Sequence, residues 1–187
     1  RGQTLLLFTT PDLDDILNSI EKYGATVFNG VPTIFEYLID YDKTTRVNWK
    51  RLKLIVSGAD TLHESTAKKW EELTGVKIME GYGLTETSSI SHANPMGRGK
   101  VVSFGIPVPS TIAAIAYPEK NKLLPLNEGG EVVIKGPQVM KGYWKKPEET
   151  ENTLVEIDGE IWLRTGDIAK MDEEGYFYML DRKKDLI

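Results

Sequence analysis

Apolar and polar residues in the first half of the chain follow two alternating patterns, short apolar runs and runs with helical spacing. The apolar runs have the length of strands and cover residues 5–8, 25–28, 52–56 and 76–79. The run at 52–56 is continuous, which is typical of a parallel strand covered on both faces. Helical spacing lies between these runs, at about residues 11–23, 32–39 and 63–73. Strands that alternate with helices predict an open α/β layer.

The first of these helices carries signals at both ends. We predict that Thr10 caps its N-terminus and that Pro11 lies in the first turn, where the missing N–H of proline costs nothing. One face of the helix is apolar at positions i, i+3, i+4 and i+7, which are Leu13, Ile16, Leu17 and Ile20. Gly24 then fits the left-handed residue that commonly ends a helix.

The pattern of apolar and polar positions changes after about residue 95. Short β-rich runs at 111–117, 131–135, 160–163 and 176–180 are broken by glycine and proline. Hairpin turns are indicated by Asn-Glu-Gly-Gly at 127–130, Asp-Gly at 158–159 and Glu-Gly at 174–175. The predicted fold class is therefore α/β. Part of an open parallel sheet with flanking helices, residues 1–95, is followed by a small antiparallel, β-barrel-like subdomain, residues 96–180.

Composition narrows the classes of function. The 187 residues suffice for one good-sized core or two small ones, and a net charge of −5 argues against a nucleic-acid partner. The absence of cysteine excludes a thiol nucleophile and disulfides, and two histidines are too few for a histidine metal cluster. No apolar run approaches the ~20 residues of a membrane span, and no signal peptide opens the chain. We therefore expect a cytoplasmic protein.

The segment Glu-Gly-Tyr-Gly-Leu-Thr-Glu-Thr at residues 80–87 has the strongest chemical content. It follows a predicted strand, and ligands of open α/β sheets bind where strands end. Gly81 and Gly83 let the backbone approach a flat ligand closely. Thr85 can donate to a phosphate oxygen, and Glu86 is a hard oxygen ligand for Mg2+. The alternative is a glycine-bearing turn with exposed polar residues.

Two further segments could complete a nucleotide site. Ser-Gly-Ala-Asp at 57–60 ends the preceding strand, and its small residues would leave a slot opposite Tyr82 that is wide enough for a purine. A tight turn before the next helix is the alternative. Asp167, in Thr-Gly-Asp at 165–167, could accept hydrogen bonds from both ribose hydroxyls, or it could be an ordinary hairpin aspartate.

Other charged and aromatic residues carry weaker signals. The basic cluster at 181–185 would ordinarily be a solvated charge run. Lys100, in Gly-Arg-Gly-Lys at 97–100, lacks the spacing of a phosphate loop and is discounted. His92 could face a substrate pocket, but we interpret it as a loop histidine. His63 is expected at the surface, at the start of a helix.

The order of these motifs resembles the adenylate-forming superfamily, which comprises acyl- and aryl-CoA synthetases, luciferases and the adenylation domains of peptide synthetases. The resemblance covers essentially the whole chain, and the form of the first motif looks most like fatty acyl-CoA synthetases. Four motifs carry it, at residues 80–86, 136–143 with Pro147-Glu148, 164–167, and 175–177 with 181–187.

The resemblance implies a role for each matching residue. Tyr82 would stack on adenine, Thr85 would contact the α-phosphate and Glu86 would carry Mg2+. The implied nucleotide-binding residues are Gly58, Ala59, Asp60, Glu80, Gly81, Tyr82, Gly83, Thr85, Asp167 and Arg182. Lys184 would be the hinge of a C-terminal lid, so residues 181–187 form a third predicted region. Gly81 and Ile90 would border the acyl pocket.

The implied reaction uses ATP, Mg2+ and coenzyme A. A carboxylic acid, here expected to be a fatty acid, would form an acyl-adenylate and then a thioester. Peripheral membrane contact is expected only for a long-chain substrate. The family's phosphate loop would precede Arg1 and its lid lysine would follow Ile187, so we expect an internal piece that is inactive alone.

Alternative functions stay open from the sequence. An aryl-acid, peptide-synthetase or luciferase-type adenylating enzyme would carry the same motifs. A non-catalytic nucleotide-binding module is a different class, although such a module need not keep metal and ribose groups together. A purely structural β-rich domain leaves the motif order unexplained.

Overall fold

The computed structural model describes residues 2–182, and the chain divides into two units, Arg1–Met79 and Glu80–Ile187. The first unit alternates helices and strands as predicted. Its elements are α1 (Leu13–Tyr23), β1 (Val27–Gly30), α2 (Pro32–Ile39), β2 (Leu54–Ser57) and α3 (Glu64–Thr74). Strands β1 and β2 pair in parallel, with Val27 opposite Leu54 and Gly30 opposite Ser57. The α/β class is thus confirmed for this unit.

Of the two predicted ends of helix α1, the C-terminal end is correct and the N-terminal end is wrong. The N-cap is Asp12 and not Thr10, because the Asp12 carboxylate accepts a 2.9 Å hydrogen bond from the Asp15 backbone N–H. Aspartate is among the best N-cap residues, and its charge also suits the positive end of the helix. Gly24 does end the helix, at φ 61°, and the apolar face containing Ile16 and Ile20 is buried.

The predicted strand at residues 5–8 is wrong. Leu5 is 76% exposed and Leu7 is 86% exposed, and no strand of the described residues pairs with this segment. A strand needs a neighbouring strand to take up its hydrogen bonds, and an apolar pattern does not supply one. The other three apolar runs do form strands, which begin two or three residues later than the runs themselves.

Aromatic side chains fill the core of the first unit. Phe35 and Trp70 are fully buried, with their ring centroids 5.2 Å apart in an edge-to-face arrangement. Trp49 packs on Trp70 at 4.7 Å in the same manner. Such pairs add specific geometry to the burial of large apolar surfaces, so a few large side chains fix α2, α3 and the segment around Trp49 against one another.

The second unit is mainly antiparallel. It contains β3 (Met79–Tyr82, which starts at the unit boundary), β4 (His92–Ala93), β5 (Ile106–Pro107), β6 (Ile112–Ala116), β7 (Gly130–Lys135), α4 (Pro147–Thr153), β8 (Leu154–Ile157), β9 (Glu160–Met171) and β10 (Phe177–Arg182). Strand β4 pairs antiparallel with β3 and β5, and a second sheet has the order β10-β9-β7-β6 with β8 on β9. This confirms the antiparallel part of the predicted fold class.

A bulge interrupts the pairing of β7 with β9. Glu131 lies opposite Ile168, whereas Val133 lies opposite Arg164, so β9 has two more residues than β7 between these pairs. Gly166, at φ 76°, provides the left-handed conformation in this stretch. The sequence pattern predicted a strand that stops at residue 163. Strand β9 instead continues through the bulge to Met171.

The helices of the described residues are short. None of those between residues 2 and 182 is long and apolar enough to cross a membrane.

Candidate functional site

The motif at residues 80–87 forms a strand followed by a tight turn. Strand β3 ends at Tyr82, and a single 3-10 turn covers Thr85–Thr87. Gly83 is required there, because a Cβ atom at this position would lie 1.7 Å from the Ser89 carbonyl oxygen. The buried Thr87 closes the turn, since its hydroxyl oxygen accepts a 2.9 Å hydrogen bond from the Leu84 N–H. Gly83 and Thr87 therefore fix the conformation of the turn that carries Thr85 and Glu86.

Thr85 and Glu86 lie in this turn and differ in their exposure to solvent. The Thr85 residue is exposed, and Glu86 is half-buried. The Tyr143 hydroxyl donates a 2.7 Å hydrogen bond to Glu86 Oε1, and the Met140 N–H donates to the Glu86 carbonyl oxygen at 2.8 Å. The hydrogen bond to Glu86 raises the pKa of the Tyr143 phenol, and burial raises it further. Tyr143 was not singled out from the sequence, although it lies in a motif that carried the resemblance.

Tyr82 and Asp167 meet although they lie 85 residues apart. The Tyr82 hydroxyl donates a 2.7 Å hydrogen bond to Asp167 Oδ2. The ring of Tyr82 lies 4.6 Å from that of Phe104 and 5.6 Å from that of His92, centroid to centroid. The core therefore supports the half-buried Tyr82 ring, and the structure brings together the residues predicted to contact adenine and ribose.

Asp167 is placed by the bulge in β9. It is only 5% exposed, and its N–H donates a 3.2 Å hydrogen bond to the Thr165 hydroxyl, which itself donates to the Val132 carbonyl. The Gly166 N–H donates to Glu131 Oε1 at 3.0 Å. Residues 165–167 thus have their own set of hydrogen bonds, which replaces the regular ladder where the bulge interrupts it.

A buried ion pair supports the bulge, and the sequence analysis missed it. Arg164 pairs with Glu131, and their side chains are 11% and 3% exposed. The Arg164 guanidinium also donates to the carbonyl oxygens of Pro118 at 3.1 Å and Lys120 at 2.8 Å. A charged residue at the start of the apolar run at 131–134 was the available signal, because charges are rarely buried without a partner.

His92 is not a loop histidine, and this correction has a clear structural reason. It lies in β4, is fully buried, and packs edge-to-face on Phe104 and Phe177 at 5.2 and 4.7 Å. Its Nδ1 lies 3.0 Å from the Ser91 hydroxyl oxygen, and Nε2 has no hydrogen-bond partner among the described residues. Burial lowers the pKa of His92 to about 3, so the ring is neutral at physiological pH.

Several predicted site residues are placed individually. Gly58, Ala59 and Asp60 follow β2 in the first unit, Ala59 has φ 70°, and Asp60 Oδ1 accepts a 2.8 Å hydrogen bond from the Thr61 N–H. Their position opposite Tyr82 stays a prediction, because they belong to the other unit.

The remaining predicted residues lie in the second unit. Glu80 is buried, Gly81 pairs with Ala93, and Ile90 is 47% exposed. The backbone of Arg182 ends β10, whereas its side chain and the whole of Lys184 lie outside the described residues.

A metal ion at this site would need ligands from the substrate in addition to those from the protein. Among residues 2–182 no three histidine, cysteine, aspartate or glutamate side chains are grouped to hold an ion. Mg2+ is commonly bound through one or two carboxylates, with water and substrate phosphates completing its shell. Glu86 has no cationic side chain bonded to it in the described part of the chain, so this half-buried carboxylate fits that kind of ligand set.

Lys100 forms ion pairs with two carboxylates of the second unit. Its Nζ lies 2.6 Å from Asp172 Oδ2 and 2.8 Å from Glu174 Oε1. These contacts raise the pKa of Lys100. Burial alone would raise the pKa of Asp172, but hydrogen bonds from Lys100, the Tyr176 N–H and other donors lower it to about 2. The lysine therefore ties its loop to the β9–β10 turn, in agreement with its exclusion as a phosphate-loop residue.

Comparison with known proteins gives consistent similarities. The AMP-binding enzyme family matches residues 1–144. A long-chain-fatty-acid–CoA ligase of Bacillus subtilis is 45% identical over all 187 residues, which make up 33% of that protein. The chain thus spans about a third of the length of this relative.

Solved structures of similar proteins extend the comparison. ATP-bound MatB from Rhodopseudomonas palustris superimposes with a TM-score of 0.86 at 35% identity, covering 94% of this chain and 34% of MatB. The anthranilate CoA ligase AuaEII in complex with anthranoyl-AMP gives a TM-score of 0.88 at 27% identity, covering 100% of this chain and 36% of AuaEII.

Proposed function

This chain belongs to the family of AMP-binding enzymes, and on that basis we propose that the whole protein is an ATP-dependent acyl-CoA synthetase. It would activate a carboxylic acid as an acyl-adenylate and transfer the acyl group to coenzyme A. A fatty acid is the proposed substrate, because the Bacillus subtilis relative at 45% identity is named for long-chain fatty acids. A cytoplasmic location is part of the proposal, with peripheral membrane contact if the acyl chain is long.

The hydrogen bond between Tyr82 and Asp167 carries the proposal. It joins two motifs that the resemblance assigns to opposite parts of one nucleoside, and it does so within a single unit of the fold. An aromatic ring supported from the core suits stacking on adenine. A carboxylate beside that ring suits hydrogen bonds from ribose hydroxyls, which are strengthened by its charge.

Charge is the main physical difficulty of the proposed first step. A carboxylate would attack the α-phosphate of ATP and displace pyrophosphate, so two anions must approach each other. Mg2+, when bound, would neutralise part of this charge, with Glu86 as its ligand from the protein. The exposed Thr85 hydroxyl would donate to the α-phosphate and hold it in position. Gly81 and Gly83 would keep the backbone close to the nucleotide. Glu80, Gly58, Ala59 and Asp60 are further proposed nucleotide-binding residues, because the resemblance assigns them that role.

The domain organisation belongs to the same proposal. Residues 1–95 would carry the adenine and metal motif, residues 96–180 would carry Asp167, and residues 181–187 would lead through the Lys184 hinge to a lid. Arg182 would contact the ribose-phosphate region. The isolated chain would be inactive, because it spans only about a third of the length of its relative from Bacillus subtilis.

An aryl-acid ligase is the second candidate. It is favoured by the structural similarity to the anthranilate CoA ligase, although that similarity is lower in identity than the similarity to fatty-acid ligases. A nucleotide-binding module without chemistry is a third candidate, although such a module need not keep metal and ribose groups together.

Pyrophosphate exchange tests the proposal. The full-length protein is incubated with ATP, labelled pyrophosphate and one acid from a panel of fatty and aromatic carboxylic acids. Exchange that depends on a fatty acid, followed by thioester formation with coenzyme A, is the expected result. Exchange with aromatic acids alone would favour the second candidate. ATP binding without exchange for any acid would favour the non-catalytic module.

A further inference from the structure

The Glu86 carboxylate is engaged through one of its two oxygens. Oε1 accepts the 2.7 Å hydrogen bond from the Tyr143 hydroxyl. No other hydrogen bond or ion pair reaches this side chain from the rest of residues 2–182. A carboxylate held in this way has one oxygen occupied by a neutral donor and the other available to a cation.

The backbone segment that carries Tyr143 is held from two directions. The Tyr143 N–H donates a 2.9 Å hydrogen bond to the Thr150 hydroxyl, which donates in turn to the carbonyl of Lys146, the N-cap residue of α4. On the other side, the Met140 N–H is bonded to the Glu86 carbonyl oxygen. The segment 136–143 is therefore attached both to α4 and to the turn that carries Glu86, which fixes the phenol relative to the carboxylate.

A third contact joins the same segment to the same turn. The Ser88 hydroxyl donates a 2.9 Å hydrogen bond to the Gln138 carbonyl oxygen. Main-chain contacts at residues 138 and 140 thus hold the two segments together without the help of Tyr143. Removing the Tyr143 hydroxyl would free the Glu86 carboxylate to rotate while leaving the turn in place.

We propose that Tyr143 is a positioning residue that occupies Oε1 of Glu86, so that a divalent cation binds the carboxylate through Oε2 alone. This inference rests on the proposed metal role of Glu86. Mg2+ requires near-octahedral geometry with short bonds, whereas Ca2+ accepts bidentate carboxylates and larger shells. One-oxygen binding therefore favours Mg2+ and disfavours Ca2+.

The chemistry of the donor agrees with this role. The Tyr143 phenol donates to Glu86 Oε1 at 2.7 Å and carries no charge while it does so. Because the donor is neutral, it orients the carboxylate without cancelling the negative charge that a cation needs.

The test is the metal dependence of adenylation in the full-length protein. Tyr143→Phe removes one oxygen atom and keeps the ring. We expect a rise of roughly tenfold in the half-saturating Mg2+ concentration, near-normal kcat at saturating Mg2+, and stronger inhibition by Ca2+. Tyr178→Phe is the matched control, because it removes a 3.0 Å hydrogen bond from a phenol to the Asp172 carboxylate. The control should leave both metal responses unchanged.

A second variant addresses the orientation of the phenol. Thr150→Val keeps the Tyr143 hydroxyl but removes the hydroxyl that holds the Tyr143 backbone. We expect a smaller shift of the Mg2+ response in the same direction. Unchanged Mg2+ and Ca2+ responses in Tyr143→Phe, or a fall in kcat without any change in them, would overturn the positioning role.

Glu86→Gln separates this inference from the function on which it rests. If Glu86→Gln does not alter the Mg2+ dependence, the proposed metal role of Glu86 is wrong and the inference fails with it. If Glu86→Gln alters the Mg2+ dependence and Tyr143→Phe does not, the inference alone is wrong.

Discussion

The Tyr82 hydroxyl donates a 2.7 Å hydrogen bond to the Asp167 carboxylate. The two residues come from different motifs, one at the end of β3 and one in the bulge of β9. Their contact fixes the ring and the carboxylate at a set distance before any nucleotide binds. Such preorganisation reduces the ordering that the site would otherwise undergo on binding.

Nucleotide affinity should separate the roles of these two residues. Asp167→Ala is expected to weaken ATP binding by at least tenfold with little change in acyl affinity, because it removes the proposed ribose acceptor. Tyr82→Phe keeps the ring and should weaken ATP binding only about threefold. Calorimetric titration of the full-length variants with ATP measures both effects. An unchanged ATP affinity in Asp167→Ala would remove Asp167 from the ribose role.

Gly83 should tolerate no side chain. In Gly83→Ala the new Cβ would lie 1.7 Å from the Ser89 carbonyl oxygen, so the turn must move. We expect a loss of about 3 kcal/mol or more in the free energy of unfolding, together with loss of adenylation. Gly97→Ala is the control, since only its φ of 76° is unfavourable and nothing lies within 4 Å. It should cost roughly 1–2 kcal/mol. Equal effects in urea unfolding would contradict the steric explanation.

His92 should make the protein sensitive to mild acid. Burial lowers its pKa from 6.5 to about 3, so below pH 6.5 the unfolded chain binds a proton that the folded chain does not. The free energy of unfolding should therefore fall as the pH drops from about 6.5 toward 3, by up to about 1.4 kcal/mol per pH unit.

The comparison with His92→Phe isolates this contribution from that of other groups. Phenylalanine fits an aromatic cluster and cannot titrate, so the variant should lose less stability on acidification than the wild type. Urea unfolding at several pH values between 7 and 4 provides the measurement. Parallel pH profiles of the two proteins would mean that His92 does not titrate on unfolding.

Removing Arg164 alone from its buried ion pair with Glu131 should strongly destabilise the protein. Arg164→Met leaves the Glu131 carboxylate buried without its cation and releases the carbonyl groups that Arg164 binds. We expect a loss of about 3–5 kcal/mol in the free energy of unfolding. Because Glu131 also accepts from the Gly166 N–H, ATP affinity should fall as the bulge loosens.

The double variant provides the control for this pair. Arg164→Met combined with Glu131→Leu removes both charges, so its loss of stability should be smaller than the sum of the two single losses. Additive losses, measured by urea unfolding of all four proteins, would show that the two charges do not depend on each other.

Local patterns in the sequence predicted much of the fold. Helix α2 lies where its spacing placed it, and Gly24 ends α1 at a positive φ. The Asp158-Gly159 turn joins β8 to β9 with both residues at positive φ, as the dipeptide indicated. These features depend on residues close in the chain. The strand predicted at residues 5–8 failed for the opposite reason, because strand formation depends on a distant partner.

The sequence by itself determined the residues of the candidate site, their order and the chemistry that each can perform. Tertiary structure alone decided which of them meet. The contacts from Tyr82 to Asp167, from Tyr143 to Glu86 and from Arg164 to Glu131 join residues separated by 85, 57 and 33 positions. Hydrophobic periodicity reports which face of an element is buried. It excludes a register that would turn that face to the solvent, but it does not distinguish registers that differ by two residues. A shift of two residues between β7 and β9 is what accommodates Asp167.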